Sequence, residues 1–584
     1  PAAFLNGYFV GQDVVRLRRF PLTMPLSSQT AVVAPKLGAQ AVVEGLLRAG
    51  INCGFGIPSI HNIAIYEGLR QARQFHHWIV RHEQAAGFAA DGFHRASGQI
   101  AAIFASTGPG NLFTLTPLLE SLQTNTPVLL IGTNIASALQ AKQGGGLHET
   151  PQQIDIIRPL TRFARRVTSA DEIPQAFADA ASILRGPAPG PAFIEIAHDL
   201  LAAQLSADVA QPEPRLPETI ASSPEQISKA AKLFAQSRRP VLLIGAGIQD
   251  AVAEARKLAE SLNAPVVTTT TGKGNFLADH PLAFGCISRL GAVQELFEQS
   301  DLLISVGARL TEFDTGRFTL KLPQIHLQIV DSPEYPGTRF PASLLLTGNI
   351  GAITKQLGTQ QKDPRAPWFD IAGASAREDA RLQALDSDAY RALRLLREAL
   401  DRHDIVANDQ SILNYWASAF FPVLEPQTFL YPAGSGTLGY GLPSAIGAAL
   451  AMRQNGSRHR VVCISGDGGF QYTLHELATL KQHDLPVKIL LVNDQAYGVI
   501  GFLQRSAFGQ TYEVDLKNPD FCAVAQAYGI PASRATSFAG LSQTLSSWLE
   551  TPGPALLEWR TQLQAPWEIG AIIRPAGVSS KEQK

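Results

Sequence analysis

Two aspartates, each at the end of a short apolar segment, are the residues of this chain best suited to hold a metal ion. Asp467 comes just after the segment 461–465, and Asp494 comes just after the segment 487–492. A helical pattern over 473–482 separates them, as in a β-α-β unit of a parallel sheet. The carboxyl ends of strands border the ligand crevice of such sheets. We therefore expect both carboxylates, 27 residues apart in sequence, to lie in one crevice.

Three glycines, Gly466, Gly468 and Gly469, surround the first of these aspartates. Glycines allow backbone N–H groups to approach a phosphate closely, and the N-terminus of a following helix favours its negative charge. Two hard oxygen ligands beside a diphosphate suit Mg²⁺, which shares phosphate oxygens and keeps some water. The pattern therefore predicts a site for a diphosphate and Mg²⁺.

The composition narrows the class of protein. The chain has 584 residues, enough for about three or four domains, and its formal net charge of −1 gives no indication of a nucleic-acid partner. Its four cysteines have neither metal-site nor disulfide spacing and are expected to be reduced, as in a cytoplasmic protein. The longest apolar runs are broken by glycine or proline, so no membrane span is expected.

Short β-branched segments alternate with helical patterns along the chain, which is typical of parallel α/β layers. Proline-containing stretches near 211–224 and 360–367 indicate two linkers. Predicted strands are 53–56, 78–81, 100–105, 127–132 and 192–196, then 241–244, 265–268, 302–306 and 325–330, then 461–465, 487–492 and 555–558. The predicted division is an irregular extension at 1–33, α/β domains at 34–205, 225–359 and 376–570, linkers at 206–224 and 360–375, and a polar tail at 571–584.

The two aspartate tips together resemble the signature of thiamine-diphosphate-dependent enzymes. The resemblance runs from about Ala34 to Gly570 and is nearest to the acetolactate synthase-like branch. It implies an α/β fold of three doubly wound parallel-sheet domains, which are pyrimidine-binding, middle and diphosphate-binding in chain order. It also implies that Mg²⁺ is held by Asp467, by Asp494 and by the backbone carbonyl of Ala496. The family usually has Asn where this chain has Asp494.

Two other segments resemble the parts of the family that contact the aminopyrimidine ring of the cofactor. Glu83, in Arg81-His82-Glu83-Gln84 before a helix of small residues, resembles the glutamate that hydrogen-bonds the aminopyrimidine ring. In the segment 433–443, Gly436 resembles the residue whose carbonyl accepts from the pyrimidine amino group. Leu438 resembles the apolar wedge that keeps the cofactor bent, although an ordinary core leucine is an alternative. The resemblance assigns cofactor binding to Glu83, Gly436, Leu438, Gly466, Asp467, Gly468, Gly469, Asp494 and Ala496, and diphosphate contacts to Asp409, Gln410 and Ser411.

Two histidines are further candidates for catalysis. The segment 55–61 together with 147–150 is most similar to 5-guanidino-2-oxopentanoate decarboxylase-like proteins, and His61 occupies the position of an active-site histidine in benzaldehyde lyase. An imidazole there could relay a proton at neutral pH. A loop histidine satisfied by the backbone is an equal alternative. His148 is likewise either a pocket residue or a structural loop residue.

The resemblance implies a lyase or transferase that acts on 2-oxo acids, as a decarboxylase or carboligase working through a C2 ylide and an enamine. Several departures limit this assignment. Ile500 stands where yeast-type pyruvate decarboxylases have Glu, and Leu503 stands where acetolactate synthases have Trp. Leu147 and Arg162 replace a Phe and a Lys of those synthases. An alternative is a lyase or hydrolase that cleaves a ketone, diketone or acyloin with the same cofactor.

The family closes its site between subunits, so the resemblance implies a homodimer, commonly a homotetramer, with no nucleic-acid or membrane partner. FAD is possible but not favoured, because Gly245-Ala-Gly247 lacks the third glycine and the acidic ribose ligand of a dinucleotide site. A flavin- or nicotinamide-dependent oxidoreductase is therefore a weaker alternative. A non-catalytic scaffold is also weaker, because Glu83 and both metal positions are retained.

Overall fold

The chain forms three six-stranded sheets, and every pair of neighbouring strands within the described residues is parallel. A computed structural model describes residues 36–140, 142, 144–216, 221–332, 339–359 and 365–573. The predicted extension at 1–33 and most of the predicted polar tail lie outside these residues. Within them, no helix combines the length and the apolar character needed to cross a membrane. The predicted α/β fold of three parallel-sheet domains is confirmed.

The first sheet has the strand order β2-β1-β3-β4-β6-β5. Its strands are β1 Cys53–Gly56, β2 His76–Ile79, β3 Ala102–Ala105, β4 Leu129–Asn134, β5 Phe163–Val167 and β6 Ala192–Ala197. The helices are α1 Gly38–Arg48, α2 Ile63–Gln71, α3 Glu83–Ser97, α4 Pro109–Leu112, α5 Leu115–Thr124, α6 Gln153–Ile157, α7 Ile173–Leu184 and α8 His198–Ala202, with 3₁₀ turns at Arg158–Leu160 and Ala170–Glu172. The edge strand β5 was not predicted, because two arginines interrupt its apolar pattern.

The middle sheet has the order β12-β11-β10-β7-β8-β9. Its strands are β7 Pro240–Ile244, β8 Val266–Thr268, β9 Ala283–Cys286, β10 Leu302–Val306, β11 His326–Val330 and β12 Leu344–Thr347. The helices are α9 Pro224–Gln236, α10 Val252–Leu262, α11 Gly291–Gln299 and α12 Ile350–Gly358, with 3₁₀ turns at Ala246–Ala251 and Ile287–Arg289. Because Ser223 caps α9 and Pro224 is its first residue, the end of the predicted first linker is helical.

The third sheet has the order β14-β13-β15-β16-β18-β17. Its strands are β13 Ile405–Asn408, β14 Phe429–Leu430, β15 Val461–Gly466, β16 Val487–Asn493, β17 Ala532–Ala535 and β18 Ala555–Arg560. The helices are α13 Ile371–Ala384, α14 Asp388–Ala399, α15 Ile412–Phe420, α16 Gly441–Gln454, α17 Asp467–Thr473, α18 Leu477–Gln482, α19 Gly498–Phe508, α20 Phe521–Ala527 and α21 Phe538–Glu550, with a 3₁₀ turn at Leu474–Glu476. Since α13 begins at Ile371, part of the predicted second linker is also helical. The domain limits given above stay a prediction.

Helices α3 and α16 join the first and third domains by direct backbone contact. A Cβ on Gly447 would lie 1.9 Å from the carbonyl oxygen of Ala89, and one on Gly92 would lie 2.3 Å from that of Ser444. No side chain fits at either glycine, so the two helices can approach this closely only without one. One apolar core continues through both domains, with Phe88 beside Tyr440. The two domains expected to bind the cofactor are therefore packed as a unit.

Candidate active site

The two aspartates predicted to bind a metal lie at the same edge of the third sheet. β15 ends at Gly466 and β16 at Asn493, and these strands are direct neighbours, with Gly466 paired to Val492. Asp467 is the first residue of α17, and Asp494 is the first residue after β16. The structure thus brings the two carboxylates together at the carboxyl ends of adjacent strands, as the sequence predicts.

The pair is costly to ionise without a cation. Asp467 is 2% exposed, and Asp494 is partly buried. Burial raises the pKa of Asp467, and burial together with the charge of Asp467 raises the pKa of Asp494 above its ordinary value. Two carboxylates in this arrangement match the oxygen ligands that Mg²⁺ prefers. Ala496 lies two residues further on, and its N–H donates to Asp494 Oδ1 at 3.3 Å.

An asparagine that the sequence analysis missed completes this edge. Asn518 Nδ2 donates to Asp467 and, at 3.0 Å, to Asn493 Oδ1. Asn493 Nδ2 in turn donates to the buried Glu558 Oε1 at 2.7 Å. Gln471 Nε2 donates to Asn518 Oδ1 at 2.9 Å. The Asp467 carboxylate is therefore held by a chain of amides, and nothing in the sequence around Asn518 indicates this role.

The glycines beside Asp467 are required by packing. A Cβ on Gly466 would lie 2.8 Å from Ser411 Cβ, one on Gly468 would lie 2.7 Å from Tyr497 Cε1, and one on Gly469 would lie 2.6 Å from Asp409 Oδ1. Each distance is shorter than real Cβ contacts allow. Close packing by the chain itself therefore accounts for these glycines, and their predicted contact with a phosphate stays a prediction.

Glu83 is the first residue of α3, and His82 precedes it as the N-cap, with its side chain accepting from Gln84 N. Among the described residues, no donor forms a hydrogen bond with the Glu83 carboxylate. Its Oε1 lies 2.9 Å from the point where a Cβ of Gly110 would stand. A partly buried carboxylate without a partner at a helix start is able to accept a hydrogen bond from a bound group, as predicted for Glu83.

The segment 431–441 carries the two residues predicted to touch the pyrimidine side of the cofactor. Gly436 is exposed and has a φ of 65°, a conformation that favours glycine. Leu438 is half-buried, so it is not an ordinary core leucine, and it is available to an adjacent ligand. These positions are compatible with the predicted roles.

The three residues predicted to contact the diphosphate are instead bonded within the protein. Asp409 is buried and accepts from Gly439 N at 3.1 Å and from Gly441 N at 3.0 Å, and burial raises its pKa to about 6. Gln410 accepts from the hydroxyl of Tyr431. Ser411 caps α15 and accepts from Asn414 N. Their side chains therefore fix the walls of the crevice, and direct contact with the diphosphate stays a prediction.

The histidines His61 and His148 are neighbours, and a third, His198, joins them. The ring centroid of His61 is 5.3 Å from that of His148 and 5.4 Å from that of His198. Burial, and then the two neighbouring imidazoles, lower the pKa of His61 to about 4, so His61 is neutral near pH 7. Nδ1 of His61 and of His148 is buried with no partner among the described residues. This favours the prediction that the two rings face a ligand over the alternative of loop histidines satisfied by the backbone.

The backbone of His148 and the side chain of Glu83 both contact the short segment 108–110. A Cβ on Gly108 would stand 2.3 Å from the carbonyl oxygen of His148, while Gly110, two residues further on, faces Glu83. Large apolar side chains are exposed directly before His61 and His148 in the chain: Ile60 is 66% exposed and Leu147 is 63% exposed. Near the aspartate tips, Tyr472 and Ile500 are likewise exposed, and Phe508 and Tyr512 are exposed at and beyond the far end of α19. No hydrogen bond or ion pair of the described residues joins Glu83 to either aspartate.

Family models match all three regions of the chain. The thiamine pyrophosphate enzyme N-terminal TPP binding domain matches residues 36–158, the central domain matches 227–357, and the C-terminal TPP binding domain matches 409–559. The chain belongs to the thiamine pyrophosphate enzyme family. Glu83 lies in the N-terminal TPP binding domain and both aspartates lie in the C-terminal one. These matches confirm thiamine diphosphate as a cofactor, and Mg²⁺ stays a prediction.

Curated relatives of this thiamine pyrophosphate enzyme match nearly its whole length. A probable 2-ketoarginine decarboxylase, AruI, of Pseudomonas aeruginosa is 32% identical, covering 92% of this chain and 95% of the relative. A probable acetolactate synthase large subunit of Methanocaldococcus jannaschii is 30% identical over 89% and 91% of the two chains. The large subunit of acetolactate synthase isozyme 1 of Escherichia coli is 28% identical over 96% and 99%. The acetolactate synthase-like resemblance is thereby confirmed.

Proposed function

We propose that this protein is a thiamine-diphosphate-dependent enzyme that decarboxylates a 2-oxo acid and either releases an aldehyde or joins the product to an acceptor carbonyl. The observation that carries the proposal is the pair of aspartates, one buried and one partly buried, at adjacent strand ends in a TPP binding domain. With it goes a glutamate at the start of α3 whose carboxylate has no hydrogen-bond donor among the described residues. Relatives named as a decarboxylase and as synthases of acetolactate support the substrate class.

Mg²⁺ would be held by Asp467, Asp494 and the carbonyl of Ala496. A divalent cation offsets the repulsion that raises the pKa of Asp494. Asn518 fixes the Asp467 carboxylate from behind, as partners of metal ligands commonly do. The diphosphate would complete the coordination of Mg²⁺ at this edge of the sheet.

When bound, thiamine diphosphate would supply an electron sink for the electron pair of the C–C bond that breaks as a 2-oxo acid loses carbon dioxide. Glu83 would hold a proton at a ring nitrogen of the aminopyrimidine, which requires an acidic side chain in a dry place. Gly436 would accept a hydrogen bond through its carbonyl, and Leu438 would set the shape of the cofactor by contact. His61 and His148 would hydrogen-bond the substrate or move a proton near it.

We infer that the protein is a homodimer or homotetramer with its sites between subunits. Among the described residues, no hydrogen bond or ion pair joins Glu83 to the aspartates, and large apolar side chains are exposed near the histidines and near the aspartates. Ile60, Ile63 and Leu147 flank the histidines in the chain, Tyr472 and Ile500 lie near the aspartates, and Phe508 is exposed at the far end of α19. Exposed apolar groups of this size are typical of surfaces that a second chain covers. A second copy would therefore close each site by bringing a glutamate to a pair of aspartates.

The substrate to test first is 5-guanidino-2-oxopentanoate, the compound also called 2-ketoarginine, because it is named for the relative that is 32% identical. Pyruvate comes next, because acetolactate synthases are among the relatives. Ile500 stands at the aspartate edge and is 49% exposed. Without a carboxylate there to deliver a proton, we expect carboligation to compete well with aldehyde release.

The experiment is a product assay with a panel of 2-oxo acids, thiamine diphosphate and Mg²⁺, comparing the wild type with Glu83→Gln. Carbon dioxide with an acyloin or acetolactate supports the carboligase, and carbon dioxide with free aldehyde alone supports the decarboxylase. Activity toward a diketone or acyloin but toward no 2-oxo acid would favour the alternative lyase or hydrolase. Equal activity of both proteins would contradict the role of Glu83.

A further inference from the structure

A largely buried group of three charged residues on α3 and α5 of the first domain faces the segment that carries Gly436 and Leu438. We call Asp91, Arg95 and Glu120 the Arg95 cluster. Arg95 forms ion pairs with Asp91 at 2.7 Å and with Glu120 at 3.0 Å, and both carboxylates have no exposed side-chain surface. Removing one partner of a buried ion pair strongly destabilises the fold, because it leaves an unpaired charge in the interior. All three side chains also hydrogen-bond outside the cluster.

Those outside bonds end on the segment 431–440 of the third domain. Glu120 Oε2 accepts from Ser435 N at 2.6 Å and from Ser435 Oγ at 2.8 Å, and Oε1 accepts from Gly434 N at 3.2 Å. Arg95 Nη1 donates to the carbonyl oxygen of Tyr431 at 2.8 Å. Asp91 Oδ1 accepts from the hydroxyl of Tyr440 at 2.8 Å. The cluster therefore holds the segment at both ends and next to Gly436.

Glu120 packs tightly against the middle of the segment 431–440. A Cβ on Gly434 would lie 3.0 Å from both the carbonyl oxygen and Oε2 of Glu120. Ser435 is directly followed by Gly436, so a shift of Ser435 moves Gly436 with it. Arg95 and Asp91 hold only the two ends, which leaves Glu120 as the contact of the cluster that fixes the central part.

We propose that Glu120 is a positioning residue for cofactor binding, which through Gly434 and Ser435 keeps Gly436 and Leu438 where the cofactor requires them. The proposal rests on the function proposed above. Glu120 touches neither substrate nor cofactor in this scheme, and it acts through the backbone of the third domain. A carboxylate is required, because it accepts three hydrogen bonds from the segment while it neutralises Arg95.

The test is the dissociation constant of thiamine diphosphate, measured by titration with Mg²⁺ present, for wild type, Glu120→Gln and Glu120→Asp. In Glu120→Gln, the side-chain NH₂ group would face N–H or O–H donors of Gly434 and Ser435 or those of Arg95, and it cannot accept from them. We therefore expect the dissociation constant of thiamine diphosphate to rise at least tenfold. At saturating cofactor, kcat should fall while KM for the 2-oxo acid stays within twofold. Asp keeps the charge and should restore part of the affinity.

Asp404→Asn is the matched control. Asp404 is also a buried carboxylate that faces an arginine, Arg460, and accepts from a backbone N–H, but it lies at the amino ends of β13 and β15, away from the candidate site. We expect this variant to lose stability and to keep its cofactor affinity. Ser435→Ala, which removes one of the three bonds and leaves the charges intact, should raise the dissociation constant two- to fivefold even if Glu120→Gln does not fold.

Two outcomes would overturn the proposal. One is an unchanged dissociation constant in Glu120→Gln with a loss of stability like that of Asp404→Asn, and the other is an unchanged constant in Ser435→Ala when Glu120→Gln is unfolded. Wild-type protein that binds no thiamine diphosphate would instead contradict the proposed function. Because the assay measures binding directly, the two failures are distinguishable.

Discussion

Replacing Gly110 by alanine should move the Glu83 carboxylate and slow the reaction. The new Cβ would lie 2.9 Å from Glu83 Oε1 and 3.0 Å from Ser106 Cβ, whereas ordinary contacts begin near 3.4 Å. The carboxylate must therefore shift by roughly 0.5 Å, and since a 1 Å displacement of a catalytic group costs about 100-fold, we expect kcat to fall about tenfold. Glu83 has no hydrogen bond to lose among the described residues, so the fold should change little.

The assay is 2-oxo acid turnover at saturating thiamine diphosphate and Mg²⁺, with thermal unfolding measured in parallel. Gly144→Ala serves as the control, because no described atom lies within 4 Å of its added Cβ. It should keep wild-type kcat. A Gly110→Ala enzyme with unchanged kcat and unchanged stability would refute the claim that Glu83 acts from its observed position. A large loss of stability with normal kcat per folded molecule would refute it as well.

Three further predictions concern other parts of the molecule. Asn518→Leu removes the amide that donates to Asp467 and should weaken Mg²⁺ binding about tenfold in a metal titration, and unchanged affinity would contradict the role given to Asn518. His61→Ala should lower kcat about 100-fold with little change in cofactor affinity, whereas the exposed His76→Ala should not, and equal kcat values would favour a loop role for His61. Burial lowers the pKa of His326 to about 4, and unfolding restores it to near 6.5, so its contribution is intact above pH 6.5 and is lost as the pH falls toward 4. Between pH 7 and pH 5 this costs about 2 kcal/mol of unfolding free energy, and His326→Gln should show that much less acid sensitivity in urea unfolding.

Local pattern was sufficient for the central strands of the first two sheets and for most of those of the third. The predicted strands 53–56 and 302–306 coincide with β1 and β10, because buried strands of a parallel sheet are short, continuous apolar runs. The strands that were not predicted are β5, β9, β12, β13, β14 and β17. All of them except β13 lie at sheet edges, where apolar runs are shorter or mixed with polar residues. β13 lies inside the third sheet but has only four residues. The predicted helix 473–482 is instead divided between a 3₁₀ turn and α18.

Among the residues of the candidate site, those in local motifs could be predicted, and those that depend on distant contacts could not. Asp467, Asp494 and Glu83 could be predicted because each stands at a strand end or a helix start within a recognisable motif. His198, Asn518 and Glu120 could not be, because their roles come from contacts between distant segments. Glu120, for example, binds Ser435, 315 residues away. The contact of Asp409 with the diphosphate stays a prediction from a motif position. Its hydrogen bonds from Gly439 and Gly441 are a second role, which the motif does not indicate.

The most direct test of the central claim is the rate at which bound thiamine diphosphate exchanges its C2 proton with deuterated water. This rate reports whether Glu83 activates the cofactor, independently of which 2-oxo acid is the substrate. We predict rapid exchange in the wild type and an exchange at least 100-fold slower in Glu83→Gln that still binds the cofactor. Equal rates in the two proteins would contradict the account.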